Sequence, residues 1–374
     1  MSSLIKVLCV STNGIKVDGI TSWMIATFGA MSLDGIHVTT TAFEGCPDEV
    51  RDAVQNVGIE VLTVPNRKQH PCDYMRSFRQ LIQRGNYDII HVCCNSAMAT
   101  FELLEAKKAR VRMRIAHSHN TVCSHPIANY LLNPLFQSLI TDRYACGRDA
   151  GKWLFGKRTF TIIPNGKEMS KYSFSRDMRL RVREALGIGA DNVVLGHVGS
   201  FNTQKNHAKL IDIFACVLAR VPNALLVLIG EGPLMSSVKA QVEGIGITEH
   251  VRFLGSREDV PDLLNAMDCM VFPSLYEGFP NVVLEWQLNG LPVVMSSTIT
   301  DECKITPLVS QLPLEADADL WSNAIESAML FRDRVSDSSD AIIAAKNAGY
   351  DIYDNAAMLH SLYLGGVARS VSEK

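Results

Sequence analysis

The stretch PSLYEGFPNVVLEWQLNGLPVV, Pro273 to Val294, decides how this chain reads. It follows an apolar run, Cys269 to Phe272 (CMVF), that has the length and character of a strand buried on both faces. A tight polar turn comes next. Pro280 suits the first position of a helix, where its missing N–H would have no partner anyway. The helix should run to about Asn289, stopped by Gly290 and Pro292. Glu277 then lies in the loop ahead of the helix. Glu285 lies about a turn and a half inside it, roughly 7–8 Å further along the axis. The free N–H groups of Phe279 and of the first helical turn, with the helix dipole, form an anion site suited to a diphosphate. Two carboxylates beside an anion site make electrostatic sense if they grip neutral hydroxyls on either side of it. The plain alternative is that both simply favour a helix N-terminus or face solvent.

Outward from this segment, strand and helix patterns alternate. In the second half, Val193–Val198, Leu225–Ile229, Val251–Leu254, Cys269–Phe272 and Val293–Met295 read as strands. Helices are expected near His207–Arg220, Leu234–Glu243, Val260–Ala266 and Asn281–Asn289. In the first half, Leu4–Ser11, His37–Phe43, Glu60–Val64, Tyr87–Cys94, Met113–His117 and Phe160–Ile163 read as strands. Helices there are expected near Ser22–Leu33, Tyr74–Arg84 and Ala97–Lys108. This is an α/β pattern of two Rossmann-like, doubly wound parallel sheets, and ligands belong at the carboxyl ends of their strands. A polar stretch after Pro164 places the linker near residues 164–175. The predicted division is 1–165 for a first Rossmann-like domain, 166–353 for a second, and 354–374 for a C-terminal helix packing back on the first. After Met295 the strand signals stop and the tail reads as helical.

Length and composition agree. A chain of 374 residues exceeds what one core usually serves. With 47% hydrophobic and 20% charged residues and a net charge of −3, it has no basic field to collect nucleic acid. The ten cysteines lie mostly in apolar runs, with no C-x-x-C and no zinc spacing, which predicts buried thiols in a reducing cytoplasm. No run of about 18 apolar residues is present, so any membrane contact would be peripheral. A dehydrogenase would need G-x-G-x-x-G after a strand. GEGPLM (Gly230–Met235) lacks the third glycine, and no Walker lysine loop occurs.

The segment does not stand alone. With HVGSFNTQKNH (His197–His207), LLVLIGEGP, VRFLGSREDVPDLLNAMDCMVF, RIAHSHNT (Arg114–Thr121) and IIPNG (Ile162–Gly166), it resembles the signature of family 4 glycosyltransferases of the GT-B fold, the group 1 type. The second half looks most like members that build bacterial exopolysaccharide or capsule. The resemblance implies two domains facing each other across a cleft and transfer from a UDP- or GDP-sugar to a glycan or lipid-linked saccharide. Retention of configuration, no metal and no cofactor follow from it as well. Glu277, Lys205 and His119 match the family's catalytic positions, with His117 as the competing histidine. Lys205 matches the lysine that holds the donor diphosphate. Ser200 stands where many relatives carry an arginine. Gly230, Phe253 and Leu254 match positions around the nucleoside. Gly278, Phe279, Pro280 and Asn281 match the diphosphate loop, and Glu285 the ribose ligand. Gly19 matches one glycine of a pair in the loop Ser11–Trp23, while Asp18 replaces the other and can cap a helix or face an acceptor hydroxyl. Two other readings fit the same motifs: a sugar-nucleotide epimerase of this fold, and a non-catalytic partner of another transferase. KKARVRMR (Lys107–Arg114), with five basic residues in eight, suggests contact with anionic lipid at the inner face of the membrane or with a lipid pyrophosphate. The alternative is a solvated helix end.

Overall fold

A computed structural model describes residues 4–330 and 333–372. The chain forms two compact units, one of Met1–Lys167 with Gly349–Lys374 and one of Glu168–Ala348. Residues 349–353 thus lie with the first unit rather than the second.

The first unit alternates β1 (Ile5–Ser11), α1 (Gly19–Ala30), β2 (Ile36–Phe43), α2 (Asp48–Gln55), β3 (Glu60–Val64), α3 (Pro71–Gly85) and β4 (Ile89–Cys94). It continues with α4 (Thr100–Lys108), β5 (Met113–Ser118), α5 (Pro126–Leu139), β6 (Asp142–Ala145), α6 (Arg148–Phe155) and β7 (Thr161–Ile162). The sheet order is β3-β2-β1-β4-β5-β6-β7, every pairing parallel. The second unit runs α7 (Arg176–Ala185), β8 (Val193–Val198), α8 (His207–Arg220), β9 (Ala224–Ile229), α9 (Met235–Ile245), β10 (Val251–Phe253) and α10 (Val260–Leu264). Then come β11 (Cys269–Phe272), α11 (Asn281–Leu288), β12 (Val293–Ser296), β13 (Val309–Leu312), α12 (Ala318–Met329) and α13 (Arg334–Asn347). Its six strands are ordered β10-β9-β8-β11-β12-β13, also parallel. The chain then returns to the first unit as α14 (Ile352–Ser372), which packs on α1.

Both sheets reverse direction of growth between their first and fourth strands, β1/β4 and β8/β11. Such a switch point leaves a crevice outside the carboxyl ends, because the following helices cross to opposite faces.

Several expectations shift. Pro280 is the N-cap of α11, with ψ 92, and the helix opens at Asn281. Glu285 therefore sits one turn in, roughly 6 Å along the axis. Strand signals do not stop at Met295: β13 follows and pairs with β12. The charge-rich stretch after Pro164 is not all linker. It contains α7, whose Arg179 and Arg183 hold the Asp268 carboxylate at 2.6 and 2.7 Å and donate to the carbonyls of residues 265–267. Asp18 caps α1, accepting from the Thr21 N–H at 2.9 Å. Gly19 is exposed, with open space where a Cβ would stand.

One close approach shapes the carboxyl edge of the second sheet. The loops after β8 and β9 exchange backbone bonds, Gly199 N–H to Ile229 and Phe201 N–H to Glu231, both 2.9 Å. Gly230 has φ +137, and a Cβ there would lie 2.2 Å from the Gly199 carbonyl oxygen. Only glycine satisfies both constraints. Gly230→Ala should therefore lower unfolding stability by more than about 1 kcal/mol. An unchanged denaturant midpoint would show that the two loops do not touch.

Candidate active site

The second unit builds its site from the loops that leave the two switch-point strands. The β8 loop carries Ser200, Gln204 and Lys205; the β11 loop carries Glu277 through Pro280. They are stitched together by Leu275 N–H to the Gln204 carbonyl, 2.8 Å, and by the Asn206 side-chain amide to the Pro273 carbonyl, 3.2 Å. The chemistry sits on top of that seam. Lys205 Nζ donates to Glu277 Oε1 at 2.7 Å, and Gln204 Nε2 donates to Glu277 Oε2 at 3.0 Å. The side chains of Lys205 and Glu277 are only 15% and 9% exposed, and the ammonium also lies 4.7 Å from the centre of the Phe272 ring. A pair this sheltered interacts far more strongly than one in open water.

Helix α11 begins directly after this loop. Its first residue, Asn281, has a buried side-chain oxygen with no partner, and so does the Ser274 hydroxyl at the start of the same loop. Buried polar atoms rarely remain unpaired unless a ligand or water answers them. Glu285, also buried, faces Tyr172, whose hydroxyl is pushed well above its ordinary pKa by burial and by hydrogen bonding to that carboxylate. Tyr172 thus fixes the carboxylate expected to take the ribose. Phe279 and Leu254 pack against the core, while Phe253 lies between the Phe201 ring and the Lys239 ammonium. Ser200 is exposed at the loop tip, and its carbonyl accepts from Asn202 N–H.

The first unit gathers a different cluster at the end of β5. His117 is fully buried, so of the two candidate histidines it belongs to the sheet, and His119 lies at the strand's end with partial exposure. Behind them runs a polar string: the Tyr363 hydroxyl meets His91 Nδ1 at 2.7 Å, and His91 Nε2 meets His117 Nδ1 at 3.0 Å. The His117 and His119 rings are 4.0 Å apart, and Trp23 sets its edge against both at 4.9 and 5.0 Å. Burial drives the pKa of His91 and of His119 down to about 3 and that of His117 well below its usual value. All three are neutral at pH 7. The string couples their tautomers, because each shared nitrogen pair admits one proton. His119 Nε2 has no partner among the described residues.

Among the described residues, His91, Cys93 and His117 bring metal-type ligand atoms within 4.8 Å of one another. Both His91 nitrogens and His117 Nδ1 are already engaged, with each other and with Tyr363, His117 Nε2 is buried without a partner among the described residues, and burial keeps the Cys93 thiol protonated, its pKa well raised. A thiolate ligand is not on offer there. The cluster is a neutral core network.

The structure brings Lys205 and Glu277 together, sets Glu285 against Tyr172 and places His119 beside His117; Gln204, Tyr172, His91, Tyr363 and Trp23, which pack around them, were not singled out by the sequence. His91 had left a trace, a histidine inside the otherwise apolar run IIHVCC. Tyr172 and Tyr363 left none, since each acts from an element distant in sequence.

Residues 192–329 match the family model described as "Glycosyl transferases group 1". The chain is 29% identical over 365 residues to the putative glycosyltransferase EpsF of Bacillus subtilis, covering 94% of each protein. It is 25% identical over 309 residues to an Escherichia coli UDP-Gal:alpha-D-GlcNAc-diphosphoundecaprenol alpha-1,3-galactosyltransferase, covering 77% of this chain and 78% of that one. Among solved structures, Anabaena Alr3699/HepE in complex with UDP superposes with a TM-score of 0.79 at 20% identity, covering 96% of this chain and 100% of that one. Fold and family together define a glycosyltransferase of the GT-B architecture. More narrowly, the group 1 match lies in the second unit, and the chain is similar to EpsF over nearly its whole length.

Two outcomes follow from the histidines. His207, stacked on Phe201, is likewise held at about 4 by burial and Lys205. A histidine whose folded pKa lies below its unfolded value of about 6.5 binds its proton more readily when unfolded. Its contribution is present above pH 6.5 and is lost as pH falls toward the folded value, by up to about 1.4 kcal/mol per unit for each such group. Melting temperature should thus fall steadily from pH 7 to pH 5, where carboxylates scarcely titrate; a flat profile would contradict the neutral cluster. Tyr363→Phe strands His91 Nδ1 and should cost about 1–3 kcal/mol by denaturant titration. A cost near zero would mean that the string is not formed.

Proposed function

We propose that this enzyme moves a sugar from a UDP- or GDP-sugar to a saccharide or lipid-linked acceptor, with retention of configuration and without a metal or cofactor, in the building of a bacterial exopolysaccharide. The observation that carries the reading is the sheltered Lys205–Glu277 pair on loops that meet at the β8/β11 switch point, beside the first turn of α11. Without donor, the two charges neutralise each other. A diphosphate offers Lys205 a stronger partner, and the α11 N–H groups add positive potential, the work that a divalent cation does elsewhere. Lys205 then stabilises the charge that builds on the departing nucleotide diphosphate. Glu277, released from the ammonium but still bonded to Gln204, is free to accept from sugar hydroxyls. Glu285, oriented by Tyr172, serves the ribose diol.

His119 contributes as a neutral imidazole to the transferred sugar. The loop opening α1, with Gly19, leaves room for acceptor or phosphate to approach the backbone. The Escherichia coli galactosyltransferase that uses UDP-Gal and the Anabaena structure that holds UDP support a UDP-sugar first and a diphosphoundecaprenol-type acceptor second. Ten cysteines, six of them buried, support work in a reducing compartment, the cytoplasm. No helix among the described residues is long and apolar enough to cross a membrane, which is compatible with a peripheral place at its inner face.

The pair gives opposite signs on binding. Lys205→Met removes the cation and leaves Glu277 to repel phosphate, so UDP or GDP, whichever stabilises the wild type, should bind at least about tenfold more weakly, about 1.4 kcal/mol. Glu277→Gln frees Lys205 and should bind that nucleotide as well as or better than wild type, yet transfer sugar at least about tenfold more slowly. Calorimetry and initial rates, with and without EDTA, check this. Nucleotide affinity equal to wild type in both variants would remove the donor site from this seam.

A further inference from the structure

Helix α5 breaks the rule that a surface helix turns a polar face to water. Its sequence, PIANYLLNPLFQSL, holds no charged residue over Pro126–Leu139. Phe136, Gln137 and Leu139 are buried, as the inward face requires. The outward face is apolar too: Ile127, Tyr130, Leu131 and Leu135 are 76%, 80%, 69% and 45% exposed. Their spacing of i, i+3, i+4 and i+8 puts them on one stripe. Scattered exposed leucines need no explanation, but a contiguous stripe of large side chains on a monomer marks a contact surface.

The neighbouring helix indicates what kind of surface covers it. α6 packs beside α5, with Gln137 Nε2 donating to the Leu154 carbonyl at 2.9 Å. Its outer side presents Trp153, 41% exposed, with Lys152 exposed next to it and Lys157 just past the helix end. The Trp153 indole donates to the Asn95 carbonyl at 3.0 Å, and the Asn95 amide donates to the Val122 carbonyl at 3.1 Å, which anchors the ring at the carboxyl edge of the first sheet. An apolar stripe with an outward tyrosine, flanked by a half-exposed tryptophan and lysines, is the pattern of a helix lying in a bilayer interface. The run Lys107–Arg114 fits that task less well. Lys108 is paired with Glu105 at 2.9 Å, and the Arg114 guanidinium is turned inward onto the carbonyls of Leu139 and Val111, both 2.7 Å.

We infer that the α5 stripe, with the basic flank of α6, docks this enzyme on the surface of an anionic bilayer. The inference rests on the proposed reading only in that a lipid-linked acceptor resides in such a surface, and docking is measurable without any transfer.

The test is flotation of the full chain with phosphatidylglycerol-rich vesicles and with phosphatidylcholine vesicles. Wild type should float with the first and much less with the second. The triple variant Ile127→Ser, Tyr130→Ser, Leu131→Ser should lose at least about tenfold in partitioning to the anionic vesicles. Lys152→Glu with Lys157→Glu should also lose at least about tenfold, on anionic vesicles alone. Both variants keep the wild-type melting temperature and its shift with UDP or GDP, because the altered side chains lie on the outer surface. Wild type that stays unbound, partitions equally to both vesicles, or is matched by the variants overturns the inference. So does a wild-type dimer that the triple variant dissociates, since a second copy would then cover the stripe. A wild type that floats but shows no shift with either nucleotide refutes the donor site and leaves docking standing.

Discussion

Everything in the second unit's site depends on one sheltered ion pair. Lys205 and Glu277 come from loops after β8 and β11, strands adjacent in space but separated by two intervening strands in sequence. Neither charge would be tolerated so far from water without the other, and removing one partner of such a pair typically costs about 3–5 kcal/mol. A purely structural seam could be made with apolar side chains at less cost. The polar version makes sense where a third charged party arrives, and the switch point is where parallel sheets leave room for one. Gln204 completes the logic. It keeps a donor on Glu277 whatever Lys205 does, so the carboxylate stays aimed while the ammonium changes partner.

The pair can form only because backbone holds the loops close. Gly230 lets the β9 loop approach Gly199 to a distance that no side chain permits, and Gly232 does the same against Phe201, where a Cβ would lie 2.6 Å from the carbonyl oxygen. That presses the β8 loop toward β11. Asn206, in a left-handed conformation with φ 53, then turns the chain into α8 directly after Lys205. Glycines that invite a reading as phosphate-binding residues are thus accounted for first by packing between neighbouring loops. A structural need and a ligand's need for close backbone approach are met at the same place.

Much of this was legible in residues alone. Strands buried on both faces announce themselves as continuous apolar runs, so the β1, β4, β8 and β11 segments fell close to their expected bounds. Edges did not. β6 opens on Asp142 and Arg143, and β13 holds only four residues, VSQL, with polar side chains in its middle, so neither presents an apolar run. α7 was hidden by its charges, because Arg179 and Arg183 look like solvated linker residues until Asp268 and the carbonyls after α10 are brought beneath them. Partners distant in sequence leave no local signature, which is why Tyr172 beside Glu285 was not legible.

The same limit explains the first unit's histidines. A histidine in the middle of a buried strand is costly unless its nitrogens are answered, and β5 answers only one nitrogen of His91. The other nitrogen is answered by the Tyr363 hydroxyl, which arrives from a helix 272 positions downstream of His91. α14 is therefore more than a cover for the apolar face of α1. By satisfying His91 it couples the tautomers of His91 and His117 and completes the neutral surface against which His119 stacks. The return of the chain to its first unit is thus part of how that unit's polar core becomes affordable, and a first unit lacking the tail would carry a stranded imidazole at its centre.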